Sequence, residues 1–147
     1  MNFLPEARSA REFVVNSLDI LQQECPQAYV LLYQQLAGKT LLLEIGQERM
    51  HLVLKSGQIA VRAVDKTRQP AATLYAGWGT ILDLADARLT LSEAILNEDV
   101  NIVGEVNELA RLYEAILLYI RGGMRCPSFP LLLDDFRKAY HRYPEMQ

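Results

Sequence analysis

The spacing of apolar residues changes type several times along the chain, and each change predicts a different element. Residues 6–23 carry Phe13, Val14, Leu18 and Leu21 at helical spacing. Ser9 and Glu12 have the spacing of a capping box, and Pro5 also suits a first helical turn. Pro26 opens a second helix with Tyr29, Leu32, Tyr33 and Leu36, which Gly38 ends. Strict alternation then takes over in three runs, 40–45, 49–55 and 58–64, which predict an antiparallel meander. Gly46 and Gln47 suit a type II′ turn, and Ser56 and Gly57 a second two-residue turn. These turns pair Leu43 with Met50, Leu41 with Leu52, Leu54 with Ile59 and Leu52 with Val61. One face is then wholly apolar: Leu41, Leu43, Ile45, Met50, Leu52, Leu54, Ile59, Val61 and Ala63. The other, with Leu42, Glu44, Arg49, His51, Val53, Lys55, Ala60, Arg62 and Val64, is mixed and is expected to be partly wet.

After a polar loop, Asp65 to Pro70, a short strand is predicted over Ala72 to Ala76. Gly77, Trp78 and Gly79 form a break, and Thr80 with Asp83 caps a short helix to about Ala87. Thr90 and Glu93 have capping-box spacing and open a helix through Leu96. A strand follows over Asp99 to Val103, and Gly104 closes it. Asn107 is the expected cap of a helix to about Arg121, with an apolar stripe of Leu109, Leu112, Tyr113, Ile116, Leu117 and Ile120. Gly122 and Gly123 are expected to stop it. A last helix begins near Pro130 and carries Leu131, Leu132, Phe136, Ala139, Tyr140 and Tyr143. The layout is α+β: a five-stranded, mostly antiparallel sheet with helices covering one face and an extra helix at the C-terminal end.

Composition narrows the class. Of 147 residues, half are hydrophobic and 22% charged, which is the balance of one globular domain. A net charge of −3 gives no broad positive field for nucleic acid. The basic residues Arg137, Lys138, His141 and Arg142 follow Asp134 and Asp135, an order that suits a helix dipole. Cys25 and Cys126 lie far apart, each before a proline, and define neither a disulfide framework nor a metal site. Apolar runs are too short for a membrane span, and no leader pattern opens the chain. The expectation is a cytoplasmic protein that is not an integral membrane protein.

The stretch from Thr40 to Ile120 resembles the sterol carrier protein type 2 family. The meander LLLEIGQERMHLVLKSGQIAVRAV leads to a strand–helix pair, AATLYAGWGTILDLADARLT. A short helix then runs into a strand ending in a glycine and an acid, LSEAILNEDVNIVGEV, followed by the long helix NELARLYEAILLYI. Ala94, Ile102, Gly104 and Glu105 fall where the family has its alanine, apolar strand residue, glycine and acid, the acid usually being Asp. Asn97 and Glu98 stand where the family places a glycine, and Asn97 tolerates the left-handed conformation that turn requires. The family-like region is about residues 40–121 of a single domain, with 124–147 as a C-terminal helical extension. The resemblance implies an apolar cavity between sheet and helices that holds a sterol, acyl chain or isoprenoid, with no catalytic residue and no cofactor.

Catalytic constellations are absent from the sequence. His51 is expected to be a partly exposed strand residue, and His141 a helix-end cation; neither has a second ligand at metal spacing. Asp134 and Asp135 point about 100° apart on a helix and cannot work as an acid–base pair. Asp83 and Asp86 can share a helix face, but polar residues of this kind ordinarily mark helix ends. The glycines around Trp78 lack a phosphate-loop lysine. The ligand-binding candidates are therefore apolar: Trp78, Ile81, Leu82, Leu112, Tyr113, Ile116, Leu117, Leu131, Leu132 and Phe136. These side chains form either an ordinary core or the wall of a cavity, and the family resemblance favours the wall. The expected partner is an apolar small molecule or lipid, not a nucleic acid. A transient membrane contact and a homodimer are left open. Residues 124–147 are left with three roles: a lid, a dimer contact or a packed helix. An accessory protein using the same groove for a partner is the alternative reading.

Overall fold

The computed structural model describes residues 9–142. Its elements in chain order are α1 (Ala10–Glu24), α2 (Pro26–Leu36), β1 (Leu41–Ile45), β2 (Glu48–Lys55), β3 (Gln58–Arg62), β4 (Ala72–Ala76), α3 (Trp78–Ala85), α4 (Leu91–Leu96), β5 (Val100–Gly104), α5 (Val106–Met124) and α6 (Phe129–Arg142). Residues 6–8 of the first expected helix, and Tyr143 of the last, lie outside the described residues. The strands form one sheet in the order β3-β2-β1-β4-β5. All neighbours run antiparallel except β1 and β4, which are parallel.

The meander has the register its turns dictate. Leu43 lies opposite Met50, Leu41 opposite Leu52, Leu52 opposite Val61 and Leu54 opposite Ile59. Gly46 has φ +62°, as the first position of a II′ turn requires, while Ser56 (φ 54°) and Gly57 (φ 78°) are both left-handed, the signature of type I′. Leu41, Leu43, Ile45, Met50, Leu52 and Ile59 are buried on the apolar face, with Leu54 and Val61 packed beside them. Ala63 lies beyond the end of β3 and is exposed.

The second face is drier than its sequence suggests. Leu42, His51, Val53 and Thr73 are all buried there, and His51 is only 2% exposed. The cause is non-local. Because β4 pairs with β1, residues 63–71 must cross from β3 past β2 and β1. They leave beside the row in which Arg62 faces His51, His51 faces Leu42 and Leu42 faces Thr73. The Asp65 N–H donates to His51 Nδ1 at 3.3 Å, and the Ala71 N–H donates to the Thr40 carbonyl at 2.8 Å. The start of the crossover thus packs on His51, on a face that alternation alone marks as wet.

Several helix ends differ from expectation. Ser9 caps α1 by accepting the Glu12 N–H, and Glu48 of β2 accepts the Ala10 N–H at 2.7 Å, so a carboxylate from the sheet sits on the positive end of the helix. Helix α3 starts at Trp78, with Gly77 rather than Thr80 as its cap. Helix α4 has the complete Thr90–Glu93 capping box. It ends with Glu98, not Asn97, in the left-handed region: Glu98 has φ 64° whereas Asn97 has φ −84°. The Asp99 N–H reaches the Ala94 carbonyl at 2.8 Å and the Glu98 N–H the Ile95 carbonyl at 3.1 Å, the two bonds of a Schellman ending. Helix α5 is capped at Glu105 rather than Asn107.

Gly122 and Gly123 do not end α5; they are buried within it. A Cβ on Gly122 would lie 2.7 Å from Leu21 Cδ1 and 2.9 Å from Ala28 Cβ. Glycine is needed there for the close approach of α5 to α1 and α2. An aromatic cluster joins the remaining helices. Phe13 of α1 meets Phe136 of α6 edge-on at 4.2 Å between centroids, and Trp78 of α3 stacks on Phe136 at 4.7 Å. Contacts of this kind contribute about 0.5–1.5 kcal/mol each beyond burial.

Two substitutions test these assignments by chemical denaturation. Gly122→Val should lower stability by about 1–3 kcal/mol through overpacking; an unchanged midpoint would mean that α5 is not seated on α1 and α2. Glu98→Gly should raise it by about 0.5–1 kcal/mol by removing left-handed strain, and a loss of stability would contradict the Schellman ending.

Candidate apolar ligand cavity

The apolar sheet face and the helices above it do not close completely. Between them lies a cavity of about 340 Å³. Its floor is Leu41, Leu43, Ile45, Leu52 and Ile59 of the meander, with Leu74 and Ala76 of β4. Phe13, Val14 and Leu18 of α1 and Leu32 and Leu36 of α2 form one side. Ile81, Leu84 and Ala85 of α3 border it too, and Leu112, Ala115, Ile116, Tyr119 and Ile120 of α5 complete the roof. Met124 and Pro130 line it and are themselves exposed, so the cavity reaches the surface beside the α5–α6 turn. An engineered apolar cavity of about 150 Å³ is enough to admit benzene, and ligand sites start near 300 Å³.

The ten candidates divide among four environments. Ile81, Leu112 and Ile116 border the cavity. Trp78, Leu82 and Phe136 are buried away from it, Trp78 and Phe136 because their rings are stacked on each other. Tyr113 turns outward to share a 2.8 Å hydrogen bond with Ser92, and Leu117 and Leu132 are partly buried outside the lining. Leu131 is 68% exposed, since the turn entering α6 places its neighbours Phe129, Pro130 and Leu133 on the cavity side instead. The residues that sequence reasoning left out lie on the sheet and, in greater number, on the helices. The same wholly apolar face that demands a cover also supplies the floor, and that alternation was the available signal. The lining residues of α1 and α2 carried only the helical periodicity of a core.

Little chemistry surrounds the cavity. Tyr119 is the one lining side chain with a polar group, and its hydroxyl donates to Ser17 Oγ. Among the described residues no group of His, Cys, Asp and Glu is placed to hold a metal ion. Asp86 and Asp134 both pair with Arg137, at 2.6 and 2.8 Å, so these carboxylates and part of the C-terminal basic stretch are held in an ion-pair network. Ser128, in the α5–α6 turn, donates its hydroxyl and its N–H to Glu24, which holds that carboxyl below its usual range. Cys126 is buried, its Sγ bonded to the Gly122 carbonyl, and burial pushes the thiol up, away from a reactive thiolate.

Burial also raises Tyr119, from 10.0 to about 12, with the bond to Ser17 acting in the opposite direction. The folded state holds this proton more tightly than the unfolded chain. The stabilisation is complete below pH ~10 and is lost as pH rises from about 10 to 12. In an ultraviolet titration of the seven tyrosines, a last step near pH 12 should be present in the native chain and missing from Tyr119→Phe. Its persistence in the variant would contradict the assignment.

Comparisons with known proteins agree with this architecture. A solution structure of the sterol carrier protein domain 2 of Helicoverpa armigera superposes with a TM-score of 0.53 at 14% identity, over 73% of this chain and 88% of that one. A crystal structure of sterol carrier protein 2 gives 0.53 at 16% identity, over 75% and 92%. One described as "UbiJ-SCP2 Ubiquinone synthesis protein" gives 0.51 at 18%, over 69% and 87%. At these identities the likeness is one of fold. No curated protein sequence gives a significant match. The sequence profile of the SCP-2 sterol transfer family, however, matches residues 19–117, from the second half of α1 into α5, and with more than half of its length matched the chain belongs to that family.

Proposed function

We propose that this chain binds one apolar lipid in the cavity between sheet and helices and carries it without any covalent step. The observation that supports this most directly is a void of about 340 Å³ walled by hydrocarbon and reaching the surface at Met124 and Pro130. Membership of a sterol transfer family points the same way. The wall offers apolar contact and one phenol, with no nucleophile, no paired carboxylates and no metal-ligand cluster among the described residues. Burial of hydrocarbon is then the driving force, at about 0.8 kcal/mol per methylene. No helix among the described residues is long and apolar enough to cross a membrane, which suits a protein that takes its ligand up rather than sitting in the bilayer with it.

The test is displacement of an uncharged fluorescent probe by unbranched lipids of increasing length. Affinity should rise roughly fourfold per added methylene, the equivalent of about 0.8 kcal/mol, and then level off when the chain outgrows the cavity. Ile116→Trp, which fills the lining from α5, should weaken uptake by about tenfold or more. Leu43→Trp fills it independently from the sheet. Val103→Asp, at an exposed site on β5, should leave uptake unchanged. Undiminished uptake in both tryptophan variants would remove the cavity from the account.

A further inference from the structure

The two cysteines are far apart in the chain, yet the helix register brings them to facing corners of the fold. Helices α2 and α5 run antiparallel. Lys39, just past α2, pairs with Glu108 in the first turn of α5, and Ala28 near the start of α2 meets Gly122 near the end of α5. Cys25 lies about one helical turn before Ala28, and Cys126 about one turn past Gly122. The same register therefore carries both cysteines to one level of the helix pair. On their other side, Glu24 accepts hydrogen bonds from the Ser128 N–H and hydroxyl. The thiols, both free, are thus bracketed by a contact too tight for a methyl group and by a double hydrogen bond. The Ala28–Gly122 contact holds the two backbones within the range a disulfide spans, about 4.4–6.8 Å between Cα atoms. Burial raises the Cys126 thiol most and the charge of Cys25 raises it further, so the two sulfurs sense each other.

Their surroundings divide the work of an oxidation. Cys25 is half-buried at the α1–α2 corner, where a small oxidant reaches it. Cys126 is 2% exposed and donates to the Gly122 carbonyl at 3.3 Å, so it is shielded from solvent and faces the protein. An accessible thiol beside a sheltered second one is the arrangement of an attacking and a resolving cysteine.

We propose that Cys25 and Cys126 are joined by a peroxide into a reversible disulfide, which pins the α5–α6 turn at the mouth of the cavity. Cys25 sulfur attacks one peroxide oxygen and the O–O bond breaks. The other oxygen leaves with the thiol proton as water, and Cys25 becomes a sulfenic acid. Cys126 sulfur then attacks the Cys25 sulfur. The S–S bond forms, the S–O bond breaks, and the hydroxyl leaves with the Cys126 proton as a second water. Both sulfurs are oxidised and the peroxide is reduced. Met124 and Pro130, the exposed residues at the mouth, flank Cys126 in sequence. The consequence for a guest rests on the carrier reading: a fastened turn slows entry and exit.

Peptide mapping of the native chain after treatment with hydrogen peroxide at low protein concentration should yield a Cys25–Cys126 linked peptide, two hydrogens lighter than the reduced pair and cleaved by dithiothreitol. Amide hydrogen exchange across residues 123–129 should slow in the oxidised chain, and the urea midpoint should rise by roughly 1 M because the bond closes a long loop. In Cys126→Ser the sulfenic acid on Cys25 should persist and be captured by dimedone. In Cys25→Ser the sheltered Cys126 should stay reduced. Release of an uncharged probe should be about tenfold slower from the oxidised chain than from the reduced one. A disulfide that joins two chains, or over-oxidation of Cys25 with Cys126 still a thiol, overturns the proposal. So does a linked peptide with unchanged exchange in the turn. A reduced chain that takes up no probe overturns the carrier reading instead, and the peptide map and hydrogen exchange then decide the disulfide by themselves.

Discussion

Where α5 crosses α1 and α2, the backbones come so close that a single methyl group on Gly122 would lie 2.7 Å from Leu21 and 2.9 Å from Ala28. At its other end α5 is tied to the α2–β1 junction through Glu108 and Lys39. On the far side of α1, the Phe13–Phe136–Trp78 stack couples it to α6 and α3. The helices thus pack chiefly against one another. A layer braced in this way spans the sheet as a roof and need not sink onto every strand, and the cavity is the space it leaves.

The same bracing explains why some bulky side chains are structural. Trp78 and Phe136 are among the largest apolar groups in the chain, yet they fill their own volume by stacking together and hold the roof at its edge. Smaller aliphatic side chains on β1, β2 and α5 face the void. The physical demand on the floor is only that it be apolar, because a polar group there would need a partner that the hydrocarbon surroundings do not supply. Buried polar side-chain atoms among the described residues all have hydrogen-bond partners, so the polar inventory of the interior is closed.

Local pattern and turn chemistry carried most of the fold. The register of the meander was legible because alternation fixes the faces and two tight turns fix the pairing, while the strand ends differ by one or two residues. The α4 capping box was legible for the same reason: its partners lie three residues apart. Features created by distant chain were not legible. His51 is held against a crossover whose path depends on where β4 pairs. Gly122 and Gly123 read as a helix stop because a glycine that ends a helix and a glycine that lets another helix approach look alike in sequence. Asn97 was the better intrinsic candidate for the left-handed residue, but the Schellman bonds put Glu98 there. In the cavity, Leu112 and Ile116 followed from helical periodicity. Leu131 followed the same periodicity outward into solvent, since periodicity gives a face and not what lies opposite it.

All of this turns on a guest entering the space between the apolar sheet face and the helical roof. Methyl-resolved NMR of the native chain during titration with dodecanol observes that space residue by residue. The account predicts shifts confined to the lining methyls, Leu43, Leu52, Ile59, Ile81 and Ile116 among them, with Val53 and Leu42 on the opposite face unmoved. Saturable binding that moves methyls on the outer surface, such as Val30, Leu31 and Val103, and leaves the lining unperturbed would contradict it.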